Sequence, residues 1–278
     1  MISEEARGRI AVVLVRARNP GNIGAVARAM QDFGFGRLRV VNEFRVPFEG
    51  ARSAVDAGAV LLAAEEFGTV AEAVGDCDLV VGTTAVGERV IAQPVLTLPE
   101  ASGRIGAVLA GSGVSGAGSG AFRARAGARV ALLFGSEKTG LSNEELSYCH
   151  WLLTIAMQER AAGERHLSMN LGQAAAVCLY ELVRDAGGPG TDAPGLVAAE
   201  ALALAAGALA PAAETERLGA LLGEMLDETE YRRHHPANSD DAAVRRLVLR
   251  MGLSGTDAQV WMGIVRQVLW RLRSMRRG

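Results

Sequence analysis

The sequence predicts an α/β protein built on a parallel sheet, followed by an extension made only of helices. Up to about residue 186, short apolar runs typical of buried strands alternate with segments of helical periodicity. Such alternation favours a parallel sheet covered by helices on both faces. Gly and Pro dominate residues 187–195, which predicts a linker, and the patterns beyond it are all helical. We therefore predict one domain at 1–186 and a second, helical one at 196–278.

Each predicted strand is a short run of β-branched or other apolar residues, and each predicted helix repeats apolar residues three or four positions apart. The strands are predicted at 9–15, 38–41, 78–82, 129–134 and 151–155. The helices are predicted at 22–33 and 170–184, and in the extension at 196–210, 214–230, 240–251 and 257–275. An amphipathic stripe in the last helix predicts packing, and it consists of Trp261, Ile264, Val265, Val268, Leu272 and Met275.

Charge is distributed unevenly along the chain, whose net charge is −2. Residues 231–278 contain ten Arg and three Asp, a local net charge of +7, whereas the remaining residues carry −9. A basic tail of this kind favours a polyanionic partner such as nucleic acid. Solvated helix faces are the alternative explanation.

Other features of the composition exclude several classes of protein. The chain contains no run of eighteen apolar residues, so we predict no transmembrane helix and no membrane partner. Acidic residues near the start argue against a signal peptide. The cysteines, Cys77, Cys149 and Cys178, are widely spaced in apolar surroundings. They predict buried free thiols in a reducing cytoplasm, and no metal site.

Two glycine-containing motifs resemble nucleotide-binding loops but lack the required context. Residues 111–116 match G-x-G-x-x-G, and an acidic residue, Glu137, follows about 20 residues later. No helical pattern follows the glycines, so we predict a flexible surface loop over 111–120. Gly135 and Lys138 are too close together for a P-loop. A nucleotide-dependent dehydrogenase is therefore only a remote alternative.

Three polar clusters lie where predicted strands end or predicted helices begin. Ligands of open α/β sheets bind at the carboxyl ends of the strands, so these clusters could form one site. In chain order they contain Asn22 and Arg28; then Gly135, Glu137 and Lys138; and then Ser168 and Asn170. The alternative for Asn22, Ser168 and Asn170 is that each only caps a helix.

Together the clusters resemble the motifs of the SPOUT superfamily of RNA methyltransferases, in its TrmH branch. Those motifs are an Asn and an Arg six residues apart, a strand ending in F-G-x-E-x-x-G-L, and S-x-N before a helix. They are matched here by Asn22 and Arg28, by Phe134, Gly135, Glu137, Gly140 and Leu141, and by Ser168 and Asn170. The resemblance spans roughly residues 9–186. It extends to the TrmJ-type tRNA 2′-O-methyltransferases, which share the turn at 21–24, the segment 141–146, Cys149-His150 and a helical extension.

The resemblance implies that a trefoil-knotted domain uses S-adenosylmethionine to methylate a ribose 2′-hydroxyl of tRNA, at position 32 of the anticodon loop. It also implies a homodimer whose active sites are completed across the interface. The implied catalytic residues are Arg28, Asn22, Glu137, Ser168 and Asn170. The implied cofactor contacts are Thr83, Thr84, Ala85, Gly135, Ile155, Leu167, Ser168 and Met169. The implied RNA contacts are Arg28, Lys138, Arg245, Arg246, Arg250, Arg273 and Arg276.

Physical chemistry narrows the roles that the resemblance implies. A guanidinium scarcely deprotonates, so we expect Arg28 to anchor a phosphate and to stabilise the developing alkoxide. A substrate phosphate or Ser168 would then receive the proton. Asn22, Glu137 and Asn170 would hold Arg28 and the loop after the strand in position, with a purely structural Glu137 as the alternative. Gly135 is expected to let the nucleoside approach closely.

Two other functions remain open at this stage. The same chemistry could act on ribosomal RNA, or the chain could be a non-catalytic RNA-binding relative. The sequence departs from the family pattern in the Gly/Ser insert at 111–120 and in an extended loop at 157–166. That loop borders the implied cofactor pocket.

Overall fold

The structure is a computed structural model that describes residues 2–41, 58–85, 91–111, 113–116, 119–123, 126–157, 169–184 and 209–276. The predicted linker at 187–195 lies outside the described residues, as does most of the helix predicted at 196–210. Leu167 and Ser168 lie outside them too, as do residues 158–168 of the loop before α7.

One parallel sheet of seven strands forms the centre of the described chain. The described residues form two more strands outside this sheet. In chain order all of these strands are β1 (Ile10–Val15), β2 (Arg37–Val41), β3 (Glu65–Phe67), β4 (Leu79–Thr83), β5 (Val95–Thr97), β6 (Gly113–Gly116), β7 (Ser119–Arg123), β8 (Val130–Phe134) and β9 (Trp151–Thr154). The sheet has the order β3-β2-β1-β8-β4-β9-β5, and β6 and β7 form a separate antiparallel ribbon. The predicted fold class and all five predicted strands are confirmed.

Helices cover the sheet on both faces. They are α1 (Glu4–Arg7), α2 (Pro20–Asp32), α3 (Gly58–Leu62), α4 (Val70–Val74), α5 (Leu98–Leu109), α6 (Asn143–Leu146), α7 (Leu171–Val183), α8 (Ala212–Glu228), α9 (Tyr231–His234), α10 (Asp241–Met251) and α11 (Gly255–Met275). Alternate residues of β1 enter opposite cores, since side chains of a strand point to its two faces in turn. Val12 joins the core that contains α2, α5 and α7, whereas Val13 joins the one that contains α4 and α6.

The Gly/Ser insert does not have the structure that its composition suggested. We predicted a flexible surface loop over 111–120, but residues 113–116 and 119–123 pair as the antiparallel strands β6 and β7. A strand rather than a helix follows Gly111, so the dinucleotide motif lacks the helix start that it requires.

The C-terminal helices have a small core of their own and are fastened to the sheet domain. That core consists of Leu218, Val248, Met262, Val265 and Leu269. At the start of α8, the backbone amides of Ala212 and Ala213 donate to the carbonyl groups of Cys77 and Gly75, at 3.0 and 3.2 Å. These carbonyls precede β4, so the extension is attached at the amino ends of the strands.

The apolar stripe predicted for α11 packs only in part. Val265 is buried, but Trp261, Ile264, Val268 and Met275 are between 38% and 67% exposed in the described chain. The buried face instead runs along Ala258, Met262, Val265 and Leu269. The prediction was wrong about the direction of this face because α11 carries apolar residues over more than half of its circumference.

Two searches of the described residues were negative. None of their helices combines the length and the apolar character needed to cross a membrane. They also contain no group of three or more His, Cys, Asp or Glu arranged to hold a metal ion. The cysteines Cys77, Cys149 and Cys178 are free and buried, as predicted.

Candidate active site

A chain of hydrogen bonds joins the three polar clusters at the carboxyl edge of the sheet. Glu137 follows β8, Asn22 lies in the first turn of α2, and Asn170 precedes α7. The Asn22 Nδ2 donates to Glu137 Oε1 at 2.9 Å, and the Asn170 Nδ2 donates to Asn22 Oδ1 at 3.0 Å. Residues that are 148 positions apart in sequence thus meet in one network.

The helix caps show why Asn22 is available for this network. Helix α2 begins two residues earlier than predicted, with Pro20 in its first turn and Asn19 as its cap. The Asn19 Oδ1 accepts from the amide of Gly21 at 2.9 Å, so Asn22 is not the cap. Asn170 has both roles, because its Oδ1 caps α7 by accepting from the Gly172 amide at 2.9 Å while its Nδ2 reaches Asn22.

Glu137 is held as a carboxylate by the donors around it. Burial alone would raise its pKa, but hydrogen bonds from Asn22 and from the backbone amides of residues 137, 19 and 18 outweigh burial, so the pKa of Glu137 lies below its ordinary value. An ionised carboxylate accepts and cannot donate, which fixes the orientation of the Asn22 amide. The Asn22 Oδ1 is thereby turned toward Asn170.

An arginine that sequence reasoning missed clamps the turn after β8. Arg16 follows β1 with a φ of 57°, a left-handed conformation that is uncommon for a residue with a side chain. Its guanidinium makes a two-point contact with Glu145 of α6, at 2.5 and 2.9 Å, and donates to the Gly140 carbonyl at 3.1 Å. Desolvation would raise the pKa of Glu145, but the Arg16 and Ser142 hydrogen bonds lower it.

Gly135 is required for a different reason from the one expected. A Cβ at Gly135 would lie 2.1 Å from both the Gly140 carbonyl carbon and the Leu141 nitrogen. The loop therefore folds back so tightly that backbone fills the place of a side chain. Gly140 closes this turn with a φ of 66°, and its amide donates to the Ser136 carbonyl at 2.8 Å. The glycine permits close approach of the loop backbone.

A cleft of about 430 Å³ opens beside the network, between the carboxyl ends of β1 and β8. It is lined by Arg16, Arg18, Asn19, Asn22, Ser136, Glu137, Lys138 and Thr139. Of these, only Asn22, Glu137 and Lys138 were predicted. Two basic residues directly after a buried strand were the signal that could have identified Arg16 and Arg18.

Arg28 is not brought into this cleft. It is exposed on α2, six residues beyond Asn22, and its side chain is not among those that line the cleft. Arg28 therefore lies outside the cleft of its own chain.

Most of the described positions implied for a cofactor lie at the ends of the neighbouring strands β4 and β9. Thr83 donates through Oγ1 to the Leu133 carbonyl at 3.0 Å, and the Thr84 amide donates to the Leu153 carbonyl at 3.0 Å. These bonds hold the ends of β4, β8 and β9 together. Ala85 is exposed beyond them, whereas Ile155 is half-buried and packs on the core. Met169, next to Asn170, is half-buried as well.

The predicted RNA-contacting arginines of the extension differ in their surroundings. Arg245 contacts Glu216 at 2.8 Å, donates to Ser147 Oγ at 2.7 Å and lies 3.9 Å from the ring centre of Tyr148. Arg273 and Arg276 are exposed but paired with acids of α8, Glu224 and Glu228. Arg246 is half-exposed and Arg250 is exposed.

Comparison with known proteins identifies the family. Residues 9–180, well over half of the chain, match the SpoU rRNA Methylase family. The chain belongs to this family. The match begins at β1 and ends within α7, so it includes all three clusters of the hydrogen-bonded network.

Relatives of the chain include proteins named TrmJ. The tRNA (cytidine-2′-O-)-methyltransferase TrmJ of Methanocaldococcus jannaschii is 33% identical over 176 residues, which cover 62% of this chain and 66% of the relative. The tRNA (cytidine/uridine-2′-O-)-methyltransferase TrmJ of Escherichia coli (strain K12) is 36% identical over 175 residues, 62% of each chain. The chain thus spans a little under two thirds of the length of these curated relatives.

A solved structure extends the similarity to the helical extension. The crystal structure of TrmJ from Z. mobilis ZM4 matches with a TM-score of 0.70 at 27% identity, covering 93% of this chain and 98% of that one. A methylase family protein from Neisseria gonorrhoeae matches with a TM-score of 0.53 at 28% identity, covering 66% and 85%. The resemblance inferred from the three motifs is therefore confirmed.

Proposed function

We propose that the chain transfers a methyl group from S-adenosylmethionine to the 2′-hydroxyl of a ribose in tRNA, at position 32 of the anticodon loop. The observation that carries this proposal is the hydrogen-bonded chain of Glu137, Asn22 and Asn170, which joins the three family motifs in one site. Two relatives named as tRNA 2′-O-methyltransferases support the choice of substrate. Buried free thiols fit a reducing cytoplasm as the place of action.

The residues at the ends of β4, β8 and β9 fit a nucleoside cofactor. They offer backbone groups and threonine hydroxyls for polar contacts, and an apolar surface from Ile155. S-adenosylmethionine would supply an electrophilic methyl group there. The residues assigned to it are Thr83, Thr84, Ala85, Gly135, Ile155, Leu167, Ser168 and Met169, with Gly135 acting through the shape of its loop.

The protein contributes mainly by position. Holding donor and acceptor in line can lower the barrier by roughly 7–11 kcal/mol, and the network that fixes Asn22 keeps the loop after β8 in place against α2 and α7. Arg28 would bind an RNA phosphate and stabilise the alkoxide that forms as the 2′-hydroxyl loses its proton. Ser168 or a substrate phosphate would accept that proton.

A homodimer would complete the site. Arg28 is exposed and lies outside the cleft of its own chain, so we assign the phosphate contact of each site to the copy of Arg28 in the partner subunit. A sedimentation measurement that finds only monomers in the presence of RNA would contradict this arrangement.

The basic extension would add contacts to the RNA backbone. Arg246 and Arg250 can reach phosphates directly, whereas Arg273 and Arg276 would first have to leave their acidic partners on α8. We assign Arg245 a structural role instead. Its guanidinium, carried by α10, donates hydrogen bonds to Glu216 of α8 and to Ser147 after α6, and so joins these segments.

Ribosomal RNA is the second candidate substrate, since the family that matches residues 9–180 is described by that activity. One experiment separates the two. The protein is incubated with S-adenosylmethionine and either bulk tRNA or ribosomal RNA, and each RNA is digested to nucleosides for mass spectrometry. We expect 2′-O-methylated nucleosides from tRNA. Methylation confined to ribosomal RNA would favour the second candidate, and a methyl group on a base would reject both.

A further inference from the structure

We propose that the cleft between β1 and β8 binds one phosphodiester of the RNA next to the target ribose, through Arg18 and Lys138. This inference rests on the proposed function, because it assigns a substrate contact to the same site. Arg18 is the new residue here, and the sequence motifs of the family do not include it.

The geometry of the cleft suits a single anionic group. Arg18 comes from the segment between β1 and α2, and Lys138 comes from the turn after β8, so the two bases face the cleft from its two walls. Both are exposed. The hydroxyl groups of Ser136 and Thr139 lie 2.9 Å apart on the same wall as Lys138 and add hydrogen-bonding capacity. The volume of about 430 Å³ exceeds what a phosphate alone needs, which leaves room for the attached sugar.

The charges in the cleft leave a positive surplus. Among the described residues, three bases and one acid line it, and the charge of Arg16 is matched by Glu145 behind the wall. The carboxylate of Glu137 accepts from Asn22 and from the Asn19 amide. These described residues and Glu145 together carry one net positive charge, which complements the single negative charge of a phosphodiester.

The position of the cleft favours RNA over the cofactor as the source of that anion. The carboxylate of S-adenosylmethionine has similar chemistry, but most of the described cofactor positions lie at the ends of β4 and β9, and Gly135, which follows β8, acts through the shape of its loop. The sheet order is β1-β8-β4-β9, so β9 lies three strands from β1, roughly 14 Å at the usual spacing. A ligand bound at the ends of β4 and β9 would lie on one side of β8, whereas Arg18, which follows β1, lies on the other side.

The test compares RNA binding by the wild type and by the double variant Arg18→Ala, Lys138→Ala. Binding of a fluorescent anticodon stem-loop RNA is followed by anisotropy between 50 and 300 mM salt. Each phosphate contact contributes roughly 0.7–0.9 to the slope of log affinity against log salt. Because both bases contact the same phosphate, we expect the slope of the double variant to be smaller by about 0.7–0.9, and its affinity at 0.1 M salt to fall roughly five- to eightfold.

Two control variants define the result. Arg217→Ala removes an exposed base from α8, in the helix that is attached at the opposite edge of the sheet, and should leave affinity within twofold. Arg18→Lys keeps the charge and should keep most of the slope. Binding of S-adenosylmethionine, measured by equilibrium dialysis, should be unchanged in every variant.

Two outcomes would overturn the inference. One is a double variant whose salt slope equals that of the wild type. The other is a double variant that binds S-adenosylmethionine much more weakly while its RNA affinity stays constant. That result would show that the cleft binds the cofactor and not RNA. Failure of the proposed function looks different, because the wild type would then transfer no methyl group to tRNA whatever the slopes show.

Discussion

Replacing Gly135 by Ala tests whether the loop after β8 is packed as tightly as the structure shows. The added Cβ would lie 2.1 Å from backbone atoms of Gly140 and Leu141 and 2.5 Å from the Gly140 carbonyl oxygen. Backbone cannot rotate away as a flexible side chain can, so the loop must shift as a whole. Overpacking a well-packed interior costs about 1–3 kcal/mol, and we expect the upper end of that range. For a chain of this size, about 3 kcal/mol corresponds to a fall in Tm of roughly 6–12 °C.

The assay is thermal unfolding together with RNA and S-adenosylmethionine binding for the Gly135→Ala variant. Gly106→Ala is the matched control, because a Cβ at Gly106 meets no atom within 4 Å and the residue lies within α5. Alanine is a better helix former than glycine by about 1 kcal/mol, so the control should gain stability or stay unchanged. A Gly135→Ala variant that melts within 2 °C of the wild type, with both ligands bound as before, would refute the reasoning about this loop.

Three further substitutions test the contacts around the site. Because the pKa of Glu137 is lowered, its carboxylate stabilises the fold above about pH 4.3 and loses that effect as pH falls toward the folded pKa. Glu137→Gln should thus be less stable than the wild type at pH 7, by less than about 1 kcal/mol for so exposed a group, and a pH-independent difference would contradict this. Arg16→Ala should lower the unfolding free energy by about 2 kcal/mol, because it leaves Glu145 without its two-point partner, and denaturant unfolding at an unchanged midpoint would reject the clamp. Arg245→Ala should lower Tm but leave the salt dependence of RNA binding unchanged. An unchanged Tm with a weaker salt dependence would instead show that Arg245 contacts RNA.

The parts of the fold that could be predicted are those whose residues carry their own periodicity. The run before Gly135 is apolar at every position, and β8 is buried along its whole length. The strands β3 and β5 were missed, because three residues are too few to show a period and both lie at the edges of the sheet. The ribbon of β6 and β7 was missed because glycine and serine disfavour strands in isolation.

In the candidate site, too, the features set by local sequence pattern could be predicted, whereas those that depend on tertiary contacts could not. Motif spacing brought Asn22, Glu137 and Asn170 together correctly, but it could not show that Asn22 bonds to both of the others. Arg16 and Arg18 were missed because their importance depends on the turn after β8, which lies more than 100 residues away in sequence. The reason for Gly135 was also a tertiary one, since the backbone of residues 140–141 occupies the place of its side chain.

The central claim is that this site methylates a ribose 2′-hydroxyl of tRNA. It is tested most directly with two anticodon stem-loop RNAs of the same sequence, one of which carries 2′-deoxyribose throughout its loop. Methyl transfer from labelled S-adenosylmethionine is measured on each RNA, at concentrations where the same fraction of the protein has RNA bound. We predict incorporation into the ribose-containing loop and none into the deoxy loop. Equal incorporation into both would show that the acceptor is not the 2′-hydroxyl and would contradict the claim.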